Sequence, residues 1–316
     1  MIPLASITRA RETLAGVAVR TPLVRLRLDE APAEIYLKLE CLQPIGSFKI
    51  RGAMNAMAEA PAGALEAGVV TASAGNMAQG VAWGARERGI PCTVVVPETA
   101  PQTKIDAIER LGGTVVRVPF EAWWNAIMTS EHPGAEGWFV HPVLDDGVMA
   151  GNGTIGLEIL EDLPDVDAVL VPWGGGGLTC GIASALRQRK PGTQVIAVEP
   201  ATGAPLTASL PAHESKAVDF TASFVDGSGS RALLPKMWGL AQELVDGAVS
   251  VTLDETAAAV RLMVERARVT PEGAGALSLA AALAGKGGTG KVVCIVSGGN
   301  IDVSRLTKIL AGETPA

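Results

Sequence analysis

Histidine is nearly absent. Among 316 residues there are three, His132, His141 and His213, and no two stand at a ligand spacing. A zinc hydrolase gathers several donors on one ion, so that class is disfavoured. Cysteine is scarce too: Cys41, Cys92, Cys180 and Cys294 lie far apart and form no C-x-x-C pair. They read as small buried hydrophobes in a reducing compartment, not as a disulfide framework. No basic run exceeds a few residues and the net charge is −7, which argues against a nucleic-acid footprint. Acidity of this size serves solubility. No apolar run reaches the ~18 residues of a membrane helix. The opening MIPLASITRARETLAG is charged too early for a signal peptide. No repeat and no low-complexity tail is present. These absences leave a cytoplasmic enzyme as the expectation, with neither nucleic acid nor membrane as partner.

What is present is core material. Apolar residues make up 48% and charged residues 19%, enough for one large domain or two ordinary ones. Short apolar runs at 35–40, 69–73, 92–97, 114–119, 168–173, 194–200 and 292–298 read as strands. Helical patterns fall between them at 49–59, 76–88, 101–111, 121–129, 153–162, 178–189, 254–268 and 274–285. Thr252 with Glu255 three residues on makes a capping box and places a helix start near 254. Continuous apolar strands alternating with helices imply parallel sheets covered on both faces. The expected fold class is α/β, in two lobes, each an open, mostly parallel twisted sheet with helices on both faces. The seams APAGALEAG (60–68) and SEHPGAEG (130–137) set off a small lobe at 63–144. It is inserted into a large one built from 1–62 and 145–316. Residues 200–250 show weak periodicity and are expected to wrap the surface.

Two glycine-rich stretches compete for a phosphate. GNGTIG (151–156) matches G-x-G-x-x-G, but the preceding HPVLDDGVMA is poor strand material, so a dinucleotide site is disfavoured. A helix N-terminus packed tightly on a neighbour is the expected meaning. VPWGGGGLTCGIA is different: a strand runs straight into Gly174, Gly175, Gly176 and Gly177 and then into a helix. Four glycines cost backbone entropy. They make sense where several N–H groups must turn toward one anion at the positive end of a helix. No Lys-Ser/Thr follows, which disfavours a Mg-nucleotide and leaves the phosphate of a small cofactor.

CLQPIGSFKIRGA (41–53) sets Lys49 between Phe48 and Ile50, where lysine is out of place. With the glycine loop and a strand ending in SGGN, the sequence resembles pyridoxal-phosphate enzymes of the tryptophan-synthase-β fold type (fold type II). Within that type it is similar to the threonine/serine dehydratase and serine racemase branch. The matching words are GSFKIRGA (46–53), SAGNMAQG (73–80), VPETAPQTK (96–104), GNGTIGLEIL (151–160), VPWGGGGL (171–178), PEGAGAL (271–277) and SGGNID (297–302), in the family's order. The resemblance implies pyridoxal 5'-phosphate as cofactor, with the larger lobe binding it and the smaller one binding substrate. Lys49 would form the Schiff base, and a desolvated amine serves as nucleophile and base. Phe48 would pack beside the ring, and Gly174–Gly177 with Leu178 would hold the phosphate. Asn76 would meet the ring hydroxyl and Ser297 the pyridine nitrogen. Ser73, Ala74, Gly75, Asn76 and Met77 would bind the substrate carboxylate. Lys49 and Ser73 are the candidate catalytic residues. Ser73 and Asn76 also suit helix capping.

The implied reaction is β-elimination of L-threonine or L-serine to a 2-oxo acid and ammonia, by a homodimer. The alternatives are another β-hydroxy amino acid such as hydroxyaspartate or phenylserine, racemisation of serine, or a non-catalytic ligand-binding protein. Trp123 and Trp124 could line a wider pocket for a bulky substrate, though helix core packing is the preferred reading. Three features depart from the pattern. Position 74 is alanine where the racemases carry a proton-bearing serine, which points to dehydration without efficient racemisation. Position 77 is methionine where the family usually has histidine. Glu199 resembles the first ligand of the family's divalent-cation site, but Pro205 replaces the third ligand, so no metal is expected there. The end at 316 leaves no room for a C-terminal regulatory domain, so feedback by isoleucine is not expected.

Overall fold

The computed structural model describes residues 1–316. Its strands are β1 (Leu23–Leu26), β2 (Glu34–Lys38), β3 (Val69–Ala72), β4 (Cys92–Pro97), β5 (Thr114–Val118), β6 (Trp138–Phe139), β7 (Ala168–Pro172), β8 (Gln194–Pro200), β9 (Gly247–Val251) and β10 (Lys291–Ile295). The helices are α1 (Leu4–Thr13), α2 (Lys49–Ala58), α3 (Asn76–Arg88), α4 (Gln102–Arg110), α5 (Phe120–Thr129), α6 (Asp146–Asp162), α7 (Gly177–Arg189), α8 (Pro205–Ser209), α9 (Pro235–Leu244), α10 (Leu253–Leu262), α11 (Gly273–Leu283) and α12 (Val303–Leu310).

The strands make two sheets. The larger has the order β1-β2-β10-β7-β8-β9, and only the β1–β2 pair is antiparallel. The smaller, β5-β4-β3-β6, is wholly parallel. Parallel strands need crossover helices on the sheet faces, which is why β7, β3 and β10 are apolar along nearly their whole length. In the larger sheet β7 continues outward to β8 and β9, while β10 continues to β2 on the other side. The crevice beyond the carboxyl ends of β7 and β10 lies where the strand order turns back, which is where open α/β sheets bind ligands.

One face of the larger sheet packs under α1, α6, α7 and α9, through Ile7, Met149, Ile182 and Met237. The other packs under α10 and α11, through Val260, Ala276 and Leu277. The small lobe has its own core. Ile50, Ala53, Met54 and Met57 of α2 join Val69, Val81 and Val94 there. α2 therefore belongs to both lobes: its apolar stripe faces α3, and its first residue is Lys49.

All seven expected strands are present, with ends within three residues. Thr252 and Glu255 form a reciprocal capping box at the start of α10. Several expectations need correction. GNGTIG is not at a helix N-terminus. α6 begins five residues earlier, because the Asp145 carboxylate accepts from Gly147 N (2.7 Å) and Val148 N (3.2 Å). Its glycines lie mid-helix and let two neighbours approach. A Cβ at Gly151 would sit 2.3 Å from the Arg51 carbonyl, and one at Gly153 would sit 2.9 Å from that of Gly181. Residues 200–250 are not only surface wrapping: α9 buries Met237, Ala241 and Leu244, and β9 closes one edge of the larger sheet. The helix expected at 254–268 ends at Leu262 and finishes in a wider π turn over Met263–Ala267.

Candidate active site

A cavity of about 330 Å³ lies between the two sheets. It is lined by Phe48, Lys49, the whole of Ser73–Met77, Gly174–Gly177, Leu178 and Ser297. The structure thus brings together every site residue expected from the sequence. Trp123, Lys104, Asp226, Ser228 and Glu272 line it as well.

Three chain reversals build the site. β7 ends at Pro172, and the chain passes through Gly174–Gly176 into α7. Gly176 is the N-cap with φ +94°, a conformation only glycine adopts without strain, and no side chain caps the helix. The first N–H groups of α7 have no intrahelical acceptor. A Cβ at Gly175 would lie 2.3 Å from Val143 Cγ2, and one at Gly176 would lie 2.5 Å from the Trp173 ring. The loop is a cradle with no space for side chains and with its N–H groups uncommitted to caps, which fits a phosphate. Gly176→Ala is expected to cost about 1–3 kcal/mol through strain and overlap. Melting of the protein should report that loss, and a pyridoxal phosphate titration should show weakened binding. Unchanged melting and affinity would count against the cradle.

The second reversal carries β3 into α3. Its N-cap is Gly75, and again no side chain caps the helix. The capping role considered for Ser73 and Asn76 is not what the side chains do. Ser73 Oγ accepts from Gly75 N at 3.3 Å, which shapes the turn. Asn76 Nδ2 donates to Glu272 Oε1 at 2.7 Å, and Asn76 Oδ1 accepts from Asn300 Nδ2 at 2.8 Å. Those two bonds set the orientation of the amide and leave one Asn76 N–H over. The uncapped start of α3 suits a carboxylate. Met77 is buried in the small-lobe core and closes the back of this turn.

The third reversal brings β10 to Ser297, whose carbonyl accepts from Phe48 N at 3.0 Å. That bond ties the residue before Lys49 to the end of the central strand. Lys49 Nζ donates to the Pro142 carbonyl at 3.3 Å and lies 5.1 Å from the Phe48 ring centre. Burial lowers its pKa to about 8, and the Glu272 carboxylate pulls the other way. Near neutrality a usable fraction of this amine is unprotonated, as a nucleophile and base requires.

Glu272 had no role assigned from the sequence, although PEGAGAL contains it. Burial raises its pKa to about 7, Asp226 adds to the rise, and the Asn76 bond and Lys104 oppose it. His141 was likewise unassigned. Its Nδ1 accepts from Val143 N (3.0 Å) and Leu144 N (2.9 Å), so the proton is on Nε2, which donates to the Ile127 carbonyl at 3.1 Å. Burial lowers its pKa, and the neutral ring holds the turn that carries Pro142 and Val143 along the cavity wall. The core-packing reading of the tryptophans holds for Trp123, which also lines the cavity, and fails for Trp124. Trp124 is 44% exposed, and Trp123 lines the cavity while packing on the outer cluster of the small lobe. Glu199 accepts from Leu206 N (3.1 Å), Thr207 N (2.7 Å) and Thr207 Oγ1 (2.8 Å), so it anchors the start of α8. Cys92, Cys180 and Cys294 are buried, and burial raises their thiols well above the ordinary range, so they pack and do not react.

The family described as "Pyridoxal-phosphate dependent enzyme" matches residues 15–298. An L-threonine ammonia-lyase of Thermotoga maritima is 43% identical over 316 residues, covering 98% of this chain and 78% of that protein. One from Geobacter sulfurreducens is 42% identical over 317 residues, with the same coverage. Among solved structures, a maize serine racemase superposes with a TM-score of 0.88 at 30% identity, covering 98% of this chain and 97% of that one. A processed threonine deaminase isoform 2 from Solanum lycopersicum gives 0.86 at 35% identity, over 98% and 88%.

Proposed function

The chain belongs to the family of pyridoxal-phosphate dependent enzymes, and from that premise we propose that it is a lyase performing β-elimination on L-threonine, L-serine or both, releasing a 2-oxo acid and ammonia. The observation that carries the reading is a desolvated lysine amine and an uncapped glycine cradle facing one cavity. Pyridoxal 5'-phosphate, when bound, supplies an electron sink that makes the α-hydrogen of an attached amino acid acidic. Gly174–Gly177 and Leu178 would hold its phosphate through main-chain N–H groups. The N–H that Asn76 has left over would meet the ring hydroxyl. The Ser297 hydroxyl would face the pyridine nitrogen, and being neutral it would not fix a proton there, which suits elimination over transamination.

The chain's own groups then divide the work. The start of α3 and Ser73 hold the substrate carboxylate and so fix which bond at Cα faces Lys49. Lys49 Nζ takes the α-proton, and the Cβ–O bond breaks with its electron pair leaving on the hydroxyl, so that the two together amount to loss of one water. Pro142, held by the turn that His141 braces, keeps the amine aimed by accepting its hydrogen bond. Position 74 offers no proton on the substrate's other face, so inversion at Cα lacks a partner base. Activity is not expected to need a divalent cation at Glu199, whose oxygens are committed to α8.

The test is a panel of β-hydroxy amino acids assayed for 2-oxo acid and for D-isomer, with and without EDTA. Threonine or serine should give 2-oxo acid, little D-product, and no loss with EDTA. A visible cofactor spectrum with no 2-oxo acid from any member would refute the lyase. Appreciable D-product would refute the argument from Ala74.

A further inference from the structure

The cavity wall contains four charged side chains: Lys49, Lys104, Asp226 and Glu272. Lys49 is committed to the chemistry, and Glu272 is held by Asn76. That leaves Lys104, on α4, as the sole further cation in the lining. It is not free. Its Nζ lies 2.7 Å from Asp226 Oδ2, which also accepts from Arg305 Nη1 of α12 at 3.1 Å. Arg305 opens into a smaller adjoining cavity that shares Lys104, Asp226 and Glu272 as its wall. Asp226 raises the proton affinity of Glu272 and Lys104 lowers it, so the two act on the same wall.

The ligand load is then countable. The glycine cradle takes one anion and the start of α3 takes the substrate carboxylate. A side chain carrying a second carboxylate needs a third cationic site, and the lining of this cavity offers none that is unpaired; Arg110, which has no ion pair, lines only the adjoining cavity. A neutral hydroxyl needs none. Burying a charge without a partner is costly, and placing it beside a like charge adds to that cost.

We propose that Asp226 is a specificity-determining residue: by pairing Lys104 at the cavity wall it restricts the site to amino acids with uncharged side chains. The inference rests on the reading of the cavity as an amino-acid site, and within it selects threonine or serine over hydroxyaspartate.

The test uses ligands that cannot undergo β-elimination of a hydroxyl, so its outcome is separate from that of the lyase assay. Binding of L-alanine and L-aspartate to the pyridoxal-phosphate holoenzyme is followed by cofactor absorbance. In the wild type, alanine should bind tighter. In Asp226→Asn, which keeps the shape and frees the Lys104 charge, the ratio of affinities should move toward aspartate by about tenfold, and this gain should fall with added salt. Lys104→Met should move the ratio the other way by a few-fold, and the double variant should lose the gain. A ratio in Asp226→Asn within about twofold of wild type, or a wild type that prefers aspartate, overturns the proposal. Should Asp226→Asn not fold, Lys104→Met decides: weakened aspartate binding supports the proposal, and an unchanged ratio overturns it.

Discussion

Lys49→Ala is expected to abolish 2-oxo acid release, by more than about 10⁴-fold. A positioned general base alone contributes roughly 10²–10⁴, and this amine also serves as the nucleophile that anchors the cofactor. No neighbour can stand in for it. Lys104, the other amine of the cavity, is bound to Asp226, and Glu272 is tied to Asn76. Lys49→Arg separates charge from proton transfer. It keeps the cation, but a guanidinium does not give up its proton near neutrality, so it should be as inactive as alanine. Borohydride reduction of the wild type followed by peptide mapping should place the cofactor on residue 49, and reduction of Lys49→Ala should place none. Turnover in Lys49→Ala within tenfold of wild type, or a tag on another residue, would end the proposed mechanism.

The legibility of this site followed the distance over which its parts are specified. Gly174–Gly177 needed only a strand before and a helix after, and both were visible in a dozen residues. Lys49 stood out because its neighbours are apolar, and its helix began at the residue expected. Asn76 and Ser73 sat at a strand–helix junction. The bonds that orient Asn76 were not legible, because Glu272 and Asn300 lie 196 and 224 residues away. Asp226 was hidden for the same reason. It lies in a stretch with weak periodicity and meets Lys104 across 122 residues. GNGTIG misled because α6 begins inside HPVLDDGVMA at two adjacent aspartates, and local pattern did not separate the cap, Asp145, from the first turn, Asp146. β6 has two residues and β1 four, too short to show an alternation.

The largest loss of stability is expected from Arg51→Met, two positions beyond the catalytic lysine. Two steps along a helix turn a side chain by about 200°, so where Lys49 faces the cavity, Arg51 faces the interior of the large lobe. There it is 2% exposed and meets two buried carboxylates. Its Nε and Nη2 donate to Glu40 at 2.8 and 2.9 Å, and its Nη1 and Nη2 to Glu158 at 2.6 and 2.9 Å. Thr154 Oγ1 accepts the one remaining N–H, on Nη1, at 3.0 Å, and the Val19 carbonyl, 3.1 Å from Nη2, shares a hydrogen already directed at a carboxylate. Lys38, wholly buried, donates to Glu158 at 2.6 Å and balances the cluster at two cations and two anions. Burial pushes Glu40 upward, but Arg51 and Lys38 outweigh it and hold the carboxyl below the ordinary range. Methionine fills much of the volume and pairs with nothing, leaving two carboxylates to share one lysine. Breaking a buried pair from one side costs about 3–5 kcal/mol, which should lower the melting temperature by roughly 10 °C. The cost comes from the stranded charge, so Glu40→Gln added to Arg51→Met should restore part of it, with a coupling of about 1–3 kcal/mol. Melting of both variants decides the matter. Because the same helix presents Lys49 and packs its apolar stripe on α3, Arg51→Met should also weaken cofactor binding, and Glu40→Gln should recover both losses together. A variant that melts like the wild type would mean that the cluster is not what seats the catalytic helix.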